Sequence, residues 1–289
     1  MELNTLLTAE RKRIEAALDA ALLSTSETSD GAWGMTAFQA ALRHAVKGGG
    51  KRIRPILTLL CARTCGASPQ QEADALKAAV AIELLHNYTL AHDDLPCMDN
   101  DTERRGAPSV WVKFGEGDAV LAGDFLQALA FSQLAECHQA ARLLPVFAKA
   151  ARQVIGGQVA DITAAQKPAG SWSPTLLDYV FRNKTAALIE TACGLGAIAA
   201  EAAPECCQAL MDYGQAVGLA FQYVDDLLDA RQAEQGNELN AIAVLGGNLE
   251  AVRKAAEACT HRAKQALVCI PGDTSPLSAF ADALLARLV

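Results

Sequence analysis

Apolar residues recur at three- and four-residue spacing through nearly all of the chain, Ala and Leu dominate, and strand-like alternation is almost absent. The pattern predicts an all-α fold. Helices are expected over roughly 7–23, 35–46, 53–65, 70–94, 116–137, 141–160, 174–200 with a break, 205–229, 248–269 and 275–288. Segments 79–92 and 215–228 are apolar on most faces, as expected of central helices in a bundle. No Pro/Ser/Gly-rich linker or charge block divides the 289 residues, so one domain over 1–289 is expected. Gly48-Gly49-Gly50 and Gly156-Gly157 punctuate the pattern, and suit either turns or close backbone approach to a ligand.

Both central helices end in aspartates: Asp93-Asp94-Leu95-Pro96-Cys97-Met98-Asp99 and Asp225-Asp226-Leu227-Leu228-Asp229. Asp225 and Asp229 are four apart and share a helix face, with Asp226 pointing elsewhere. Pro96 breaks the ladder between Asp93 and Asp99, so the chain must bulge to bring Asp99 back. Either cluster alone suits a solvated turn. Facing one cavity, the two form a set whose mutual repulsion favours divalent cations, and Mg2+ fits because it combines few carboxylates with water and phosphate oxygens. A calcium loop is excluded, since Asp99-Asn100-Asp101 lacks the required later Gly and Glu.

Composition narrows the partners. At 51% hydrophobic and 20% charged the chain can fill a large core, and a net charge of −8 gives no global field for nucleic acid. Anion binding must therefore come from local basic groups. The nine cysteines show no CxxC spacing and read as reduced, buried thiols. Met1 to Arg13 lacks the apolar stretch of a signal peptide and no uncharged apolar run is long enough to span a membrane, so a cytoplasmic location is expected.

Lys51 and Arg54 lie three apart at a helix start after the glycines, an anion cradle or an exposed basic turn but not a Walker loop. Arg104 and Arg105 are adjacent and point in different directions, so they can serve two phosphates on opposite sides. Lys184 and Thr185 interrupt an apolar helix, where a lone lysine ordinarily snorkels to solvent. Gln222 precedes Asp225 by three residues and His86 precedes Asp93 by seven; each suits a phosphate contact or a satisfied polar core position.

Six motifs in order, GGGKRIRP at 48–55, HNYTLAHDDLPCMDNDTERRG at 86–106, VKFGEGDAVLAGD at 112–124, GGQVAD at 156–161, NKTAALI at 183–189 and GLAFQYVDDLLD at 218–229, resemble the trans-polyprenyl diphosphate synthases, most of all the short-chain bacterial farnesyl diphosphate synthases. The resemblance implies an all-α homodimer with a central cavity and three Mg2+ ions. It also implies head-to-tail condensation of isopentenyl diphosphate with an allylic diphosphate such as dimethylallyl or geranyl diphosphate. By the resemblance, Asp93, Asp99, Asp225 and Asp229 are magnesium ligands, and Arg104, Lys184, Thr185 and Gln222 match the allylic diphosphate site. Lys51, Arg54, His86 and Arg105 match the isopentenyl diphosphate site. Tyr88, five residues before Asp93, and its neighbour Thr89 are the expected chain-length positions; Tyr88 suits either a floor of the tail pocket or plain core packing. Together with the two additional residues in the first aspartate motif, an aromatic there resembles the arrangement in synthases that stop at a fifteen-carbon product, with ten and twenty carbons as alternatives.

One stretch departs from the pattern. After Asp229 the family continues through a lysine-bearing loop, whereas here the chain reads Ala230-Arg231-Gln232-Ala233-Glu234-Gln235-Gly236-Asn237, with Asn237 near the place of the later lysine. A true deletion implies weak activity or a silent diphosphate-binding subunit; the other account is a stretch of the natural chain that the sequence lacks.

Overall fold

The structure is a computed structural model, and it describes residues 3–24, 35–47, 49–168, 171–230 and 239–288. Its helices are α1 (Leu3–Ser24), α2 (Met35–Lys47), α3 (Ile53–Thr64), α4 (Pro69–Asp93), α5 (Val110–Phe114), α6 (Glu116–Ala135), α7 (Ala140–Ala165), α8 (Pro174–Val180), α9 (Ala187–Ala199), α10 (Pro204–Asp229), α11 (Ala241–Val244), α12 (Leu249–Ala266) and α13 (Ser275–Leu285). A π-helical turn (Phe181–Ala186) joins α8 to α9, and a 3₁₀ turn (Ala286–Leu288) follows α13. Between α4 and α5 lie the two short antiparallel strands β1 (Glu103–Arg104) and β2 (Ala107–Pro108), with Arg104 paired to Ala107.

Local chemistry explains the ends of the central helices. Ser68 caps α4 reciprocally: its hydroxyl accepts from Gln71 N while Gln71 Oε1 accepts from Ser68 N, and Pro69 opens the first turn. Pro204 opens α10 in the same way. The main apolar cluster runs from Ile14 on α1 to Leu288 in the last turn, and a smaller one gathers Ala41, Ala91, Leu95, Val110 and Ala119. α9 lies in the middle of the main cluster, in contact with α3, α4, α7 and α10, and Glu190 is its one residue that is not buried. Such an all-round apolar helix draws its stability from tertiary packing.

The helical reading of the sequence holds, and the all-α fold with it. Its centre differs in one respect, because the expected break within 174–200 is the π turn, and the helix after it is the most enclosed of the bundle. Periodicity did not disclose the hairpin or the short helices α5 and α11. No described helix is long and apolar enough to cross a membrane. All nine cysteines are free, but Cys97 and Cys269 are exposed, which corrects the expectation that the thiols are uniformly buried.

Candidate active site

α4 delivers the first aspartate group. Asp93 closes the helix, Asp94 follows as its cap, and the chain loops over Pro96 until Asp99 N donates to Asp93 O at 2.8 Å. Asn100 then adopts a left-handed φ of 56° and donates its N–H to Leu95 O at 3.0 Å. The bulge expected from the sequence is therefore present, and it returns Asp99 to the helix end. Burial pushes the Asp93 carboxyl up to about 7; Lys184 opposes the rise, and Asp99 and Asp94 add to it. Asp99 is raised for the same leading reason.

Asp94, which the sequence reading left without a role, is 2% exposed and accepts two hydrogen bonds from Arg104. The same guanidinium also pairs with Asp101. Arg104 sits on β1 and Arg105 in the turn that follows, where Arg105 (φ 56°) and Gly106 (φ 77°) both lie in the left-handed region. Two consecutive residues of that kind make the tight hairpin turn that matches strand twist. The neighbouring arginines accordingly diverge, Arg104 to the aspartates and Arg105 to Gly49 O.

Around Arg105 a second, basic group assembles. Gly50 has φ +127°, a conformation strained for any L side chain, and the Arg105 guanidinium carbon lies 2.9 Å from where its Cβ would stand. Burial holds Arg54 down at about 10, helped by Arg105 and opposed by Glu83, and its buried Nε has no hydrogen-bond partner. His86 is pushed well below its usual value, by burial first and then by Arg54, Arg105, Arg52 and Arg104, so its ring is neutral. Lys51 is exposed at the edge of this group and close enough to stabilise the charge of Asp225. An excess of cations around an orphaned buried donor is an arrangement that an anion completes.

The π turn packs between α7 and α10. Lys184 Nζ donates to Asp161 Oδ2 of α7 at 2.5 Å, and its charge is supported by Asp161, Asp99 and Asp93 against the cost of burial. The next residue, Thr185, donates to Gln222 Oε1 of α10 at 2.9 Å, and Gln222 Nε2 donates to Asp226 at 3.1 Å. Two glycines let the turn seat this closely. A Cβ on Gly157 of α7 would lie 2.4 Å from Lys184 N, and one on Gly218 of α10 would lie 2.5 Å from Ala186 Cα. Lys184 thus does not snorkel; its ammonium pairs with Asp161 of α7, close enough for the charges of Asp99 and Asp93 to reach it.

On α10, Asp226 is turned away as expected and accepts from Ala241 N at 2.6 Å, which docks α11. Asp225 stays beside the exposed Asp229, and burial raises it, Arg287 opposing. Arg287, from the final 3₁₀ turn, donates to Asp225 Oδ1 at 2.9 Å and lies over the Phe221 ring at 5.7 Å. Nothing in the local pattern around 287 announced this pairing. Gln158 and Asp161 were also missed: Gln158 is buried on α7 and donates to Asp99 at 3.4 Å, with its Oε1 unpaired. Both lie in the GGQVAD motif, which is where they could have been found.

Tyr88 is 7% exposed on α4, and its ring meets that of His92 edge-on at 5.6 Å. Thr89 is buried beside it and donates to His86 O at 2.8 Å. The departures read between Arg231 and Asn237 lie outside the described residues.

The donors offered by Asp93, Asp99, Asp225 and Asp229 are all carboxylate oxygens, which suit a hard cation. Among the described residues no three acidic, His or Cys side chains form a metal site by themselves. Magnesium fits that sparseness, because it is usually held by one or two carboxylates with substrate phosphates and water completing its shell.

Residues 35–240 match the family model described as polyprenyl synthetase. A chloroplastic protein of Arabidopsis thaliana described as a putative geranylgeranyl pyrophosphate synthase 8 is 35% identical over 95% of this chain and 78% of its own length. A short chain isoprenyl diphosphate synthase of Methanocaldococcus jannaschii is 42% identical over 65% of this chain and 56% of its own. The apo crystal structure of an FPP/GFPP synthase from Zymomonas mobilis superposes with a TM-score of 0.83 at 30% identity, covering 96% of this chain and 99% of that one.

Proposed function

Since residues 35–240 match its model, the chain belongs to the polyprenyl synthetase family, and from that premise we propose that it condenses isopentenyl diphosphate head-to-tail with an allylic diphosphate in the presence of magnesium. The observation that carries the reading is the pair Lys184 and Thr185. Of these consecutive residues, Lys184 feels the charges of Asp99 and Asp93 while Thr185 donates to Gln222, three residues before Asp225 on α10, which supports the reading that both acidic groups border one space.

Asp93, Asp99, Asp225 and Asp229 would hold the magnesium, which when bound supplies charge stabilisation to a departing pyrophosphate. Lys184 and Arg104 contribute fixed positive charge beside the first aspartate group, and Thr185 and Gln222 contribute hydrogen bonds. Asp94 and Asp101 hold Arg104, and Asp161 holds Lys184, so neither cation must be ordered at the moment of reaction. The second diphosphate belongs to Lys51, Arg54, Arg105 and neutral His86. Arg54, with its unpaired Nε, is suited to donate to a phosphate oxygen, and the His86 ring to hydrogen-bond one without adding to the repulsion among the arginines.

For the product we propose fifteen carbons, with Tyr88 as the floor. Five residues along a helix at about 1.5 Å each place Tyr88 about 7.5 Å below Asp93, and the edge contact with His92 fixes its ring. A twenty-carbon product is the second reading, favoured by the geranylgeranyl synthase names among the relatives. Val112, Val120 and Leu121 are exposed at 45%, 41% and 56% on α5 and α6, and support assembly as a homodimer.

The test is incubation of the purified chain with magnesium, geranyl diphosphate and labelled isopentenyl diphosphate, followed by mass spectrometry of the products. Label in a fifteen-carbon diphosphate supports the proposal. Tight binding of both substrates without turnover sinks it in favour of a silent diphosphate-binding subunit.

A further inference from the structure

Between Lys51 and Arg54 stands Arg52, which faces the opposite way. Its side chain is 0% exposed, although it belongs to a loop whose neighbour Lys51 lies in solvent. Three helices hold it. Nε donates to Glu15 Oε1 of α1 at 2.6 Å, Nη1 to Glu83 Oε1 of α4 at 2.7 Å, and Nη2 to Val46 O near the end of α2 at 2.7 Å. Glu83 is itself 2% exposed and accepts a further bond from Asn87 Nδ2 at 3.3 Å.

The backbone at Arg52 is left-handed, φ 51° and ψ 38°, directly before the first residue of α3. A non-glycine residue pays for that conformation with steric crowding and keeps it only where its surroundings dictate it. Here the surroundings are the three contacts of the guanidinium. They convert a flexible sequence, with Gly49 and Gly50 also at positive φ, into one fixed path. Along that path Lys51 emerges on the side where its charge reaches Asp225, and Arg54 on the side of Arg105 and His86.

We infer that Arg52 is a positioning residue: its enclosed guanidinium, held by Glu15, Glu83 and the Val46 carbonyl, sets the left-handed turn that aims Lys51 and Arg54 at one diphosphate. Arg52 touches no substrate. Glu83 completes the device, because it anchors Arg52 on the same helix, α4, that presents His86 three residues later. The identity of the anion as isopentenyl diphosphate rests on the proposed function; the positioning role itself requires only a diphosphate.

Two readouts separate this role from general support of the fold. Calorimetry with inorganic pyrophosphate in EDTA reports the basic group without the metal site. The Arg52→Lys protein keeps the charge but cannot make all three contacts, and it should bind pyrophosphate roughly 10-fold or more weakly, as expected for misplaced binding groups. In turnover, KM for isopentenyl diphosphate should rise by a similar factor, while KM for geranyl diphosphate stays within about twofold. Unchanged pyrophosphate binding, or equal changes in both KM values, overturns the inference. If Arg52→Lys does not fold, Glu15→Gln decides. It replaces the charged acceptor of Arg52 Nε with a neutral amide oxygen, weakening one contact at a site already 38% exposed, and should show the same selective loss at about threefold; no selective loss there overturns the inference. A wild-type protein that incorporates no isopentenyl diphosphate refutes prenyl transfer alone, because pyrophosphate binding still judges Arg52.

Discussion

Replacing Lys184 by Gln tests the coupling between the π turn and the first aspartate group. The Asp93 carboxyl is pushed from its ordinary 3.8 to about 7 chiefly by burial, and Lys184 is the strongest influence holding it down. That displacement means that ionising Asp93 in place costs about 4 kcal/mol more than in water. The folded, metal-free protein therefore binds a proton that the unfolded chain has released, between about pH 4 and pH 7. The associated stability is fully present below 3.8 and is lost as pH rises through about 7. Magnesium requires the ionised carboxylate, so its stabilising effect should grow over the same interval. In a thermal-shift assay with magnesium and pyrophosphate, the ligand-induced rise in Tm should be small at pH 6 and large at pH 8. Without the cation of Lys184, Asp93 should hold its proton to higher pH, and the midpoint of that dependence should move to the alkaline side. On the proposed function Lys184 stands beside the reacting diphosphate, and its loss should also lower kcat by about 100-fold. A ligand-induced shift equal at pH 6 and pH 8, or a midpoint that Lys184→Gln leaves in place, would refute this reasoning.

Tyr88→Ala should lengthen the products beyond fifteen carbons, read by mass spectrometry; an unchanged distribution refutes the floor. Gly157→Ala forces a Cβ to 2.4 Å from Lys184 N and should destabilise the fold by about 1–3 kcal/mol in denaturant titration while lowering turnover; wild-type behaviour in both would show that the π turn has room. Arg287→Ala removes the pairing with Asp225, whose two side chains are 31% and 28% exposed, so a stability loss of only about 1 kcal/mol is expected. On the proposed function Arg287 would compete with magnesium for Asp225, so the same variant should need less magnesium for half-maximal ligand-induced stabilisation; a greater requirement contradicts competition.

What the sequence disclosed is what local periodicity and turn chemistry determine. The ends of α4 and α10 were legible because apolar runs stop at aspartates, and the bulge from Asp93 to Asp99 followed from Pro96 alone. The turning away of Asp226 followed from helical geometry. Partners brought together by tertiary packing were not legible. Arg287 meets Asp225 from 62 residues away, and Arg52 meets Glu83 from 31. The π turn has no composition of its own and depends on Gly157 and Gly218 backing onto it from two other helices. Lys184 was recognised as unusual in its helix, but its destination at Asp161 required the position of α7. Asp94 was overshadowed by its neighbours, although burial leaves it a structural task in holding Arg104.

A crystal structure with magnesium and an unreactive allylic diphosphate analogue addresses the central claim most directly. Carboxylate oxygens of Asp93 and Asp225 should each coordinate magnesium on the same diphosphate, with Lys184 beside it. A diphosphate bound to one aspartate group alone, with the other facing away from it, would contradict the account.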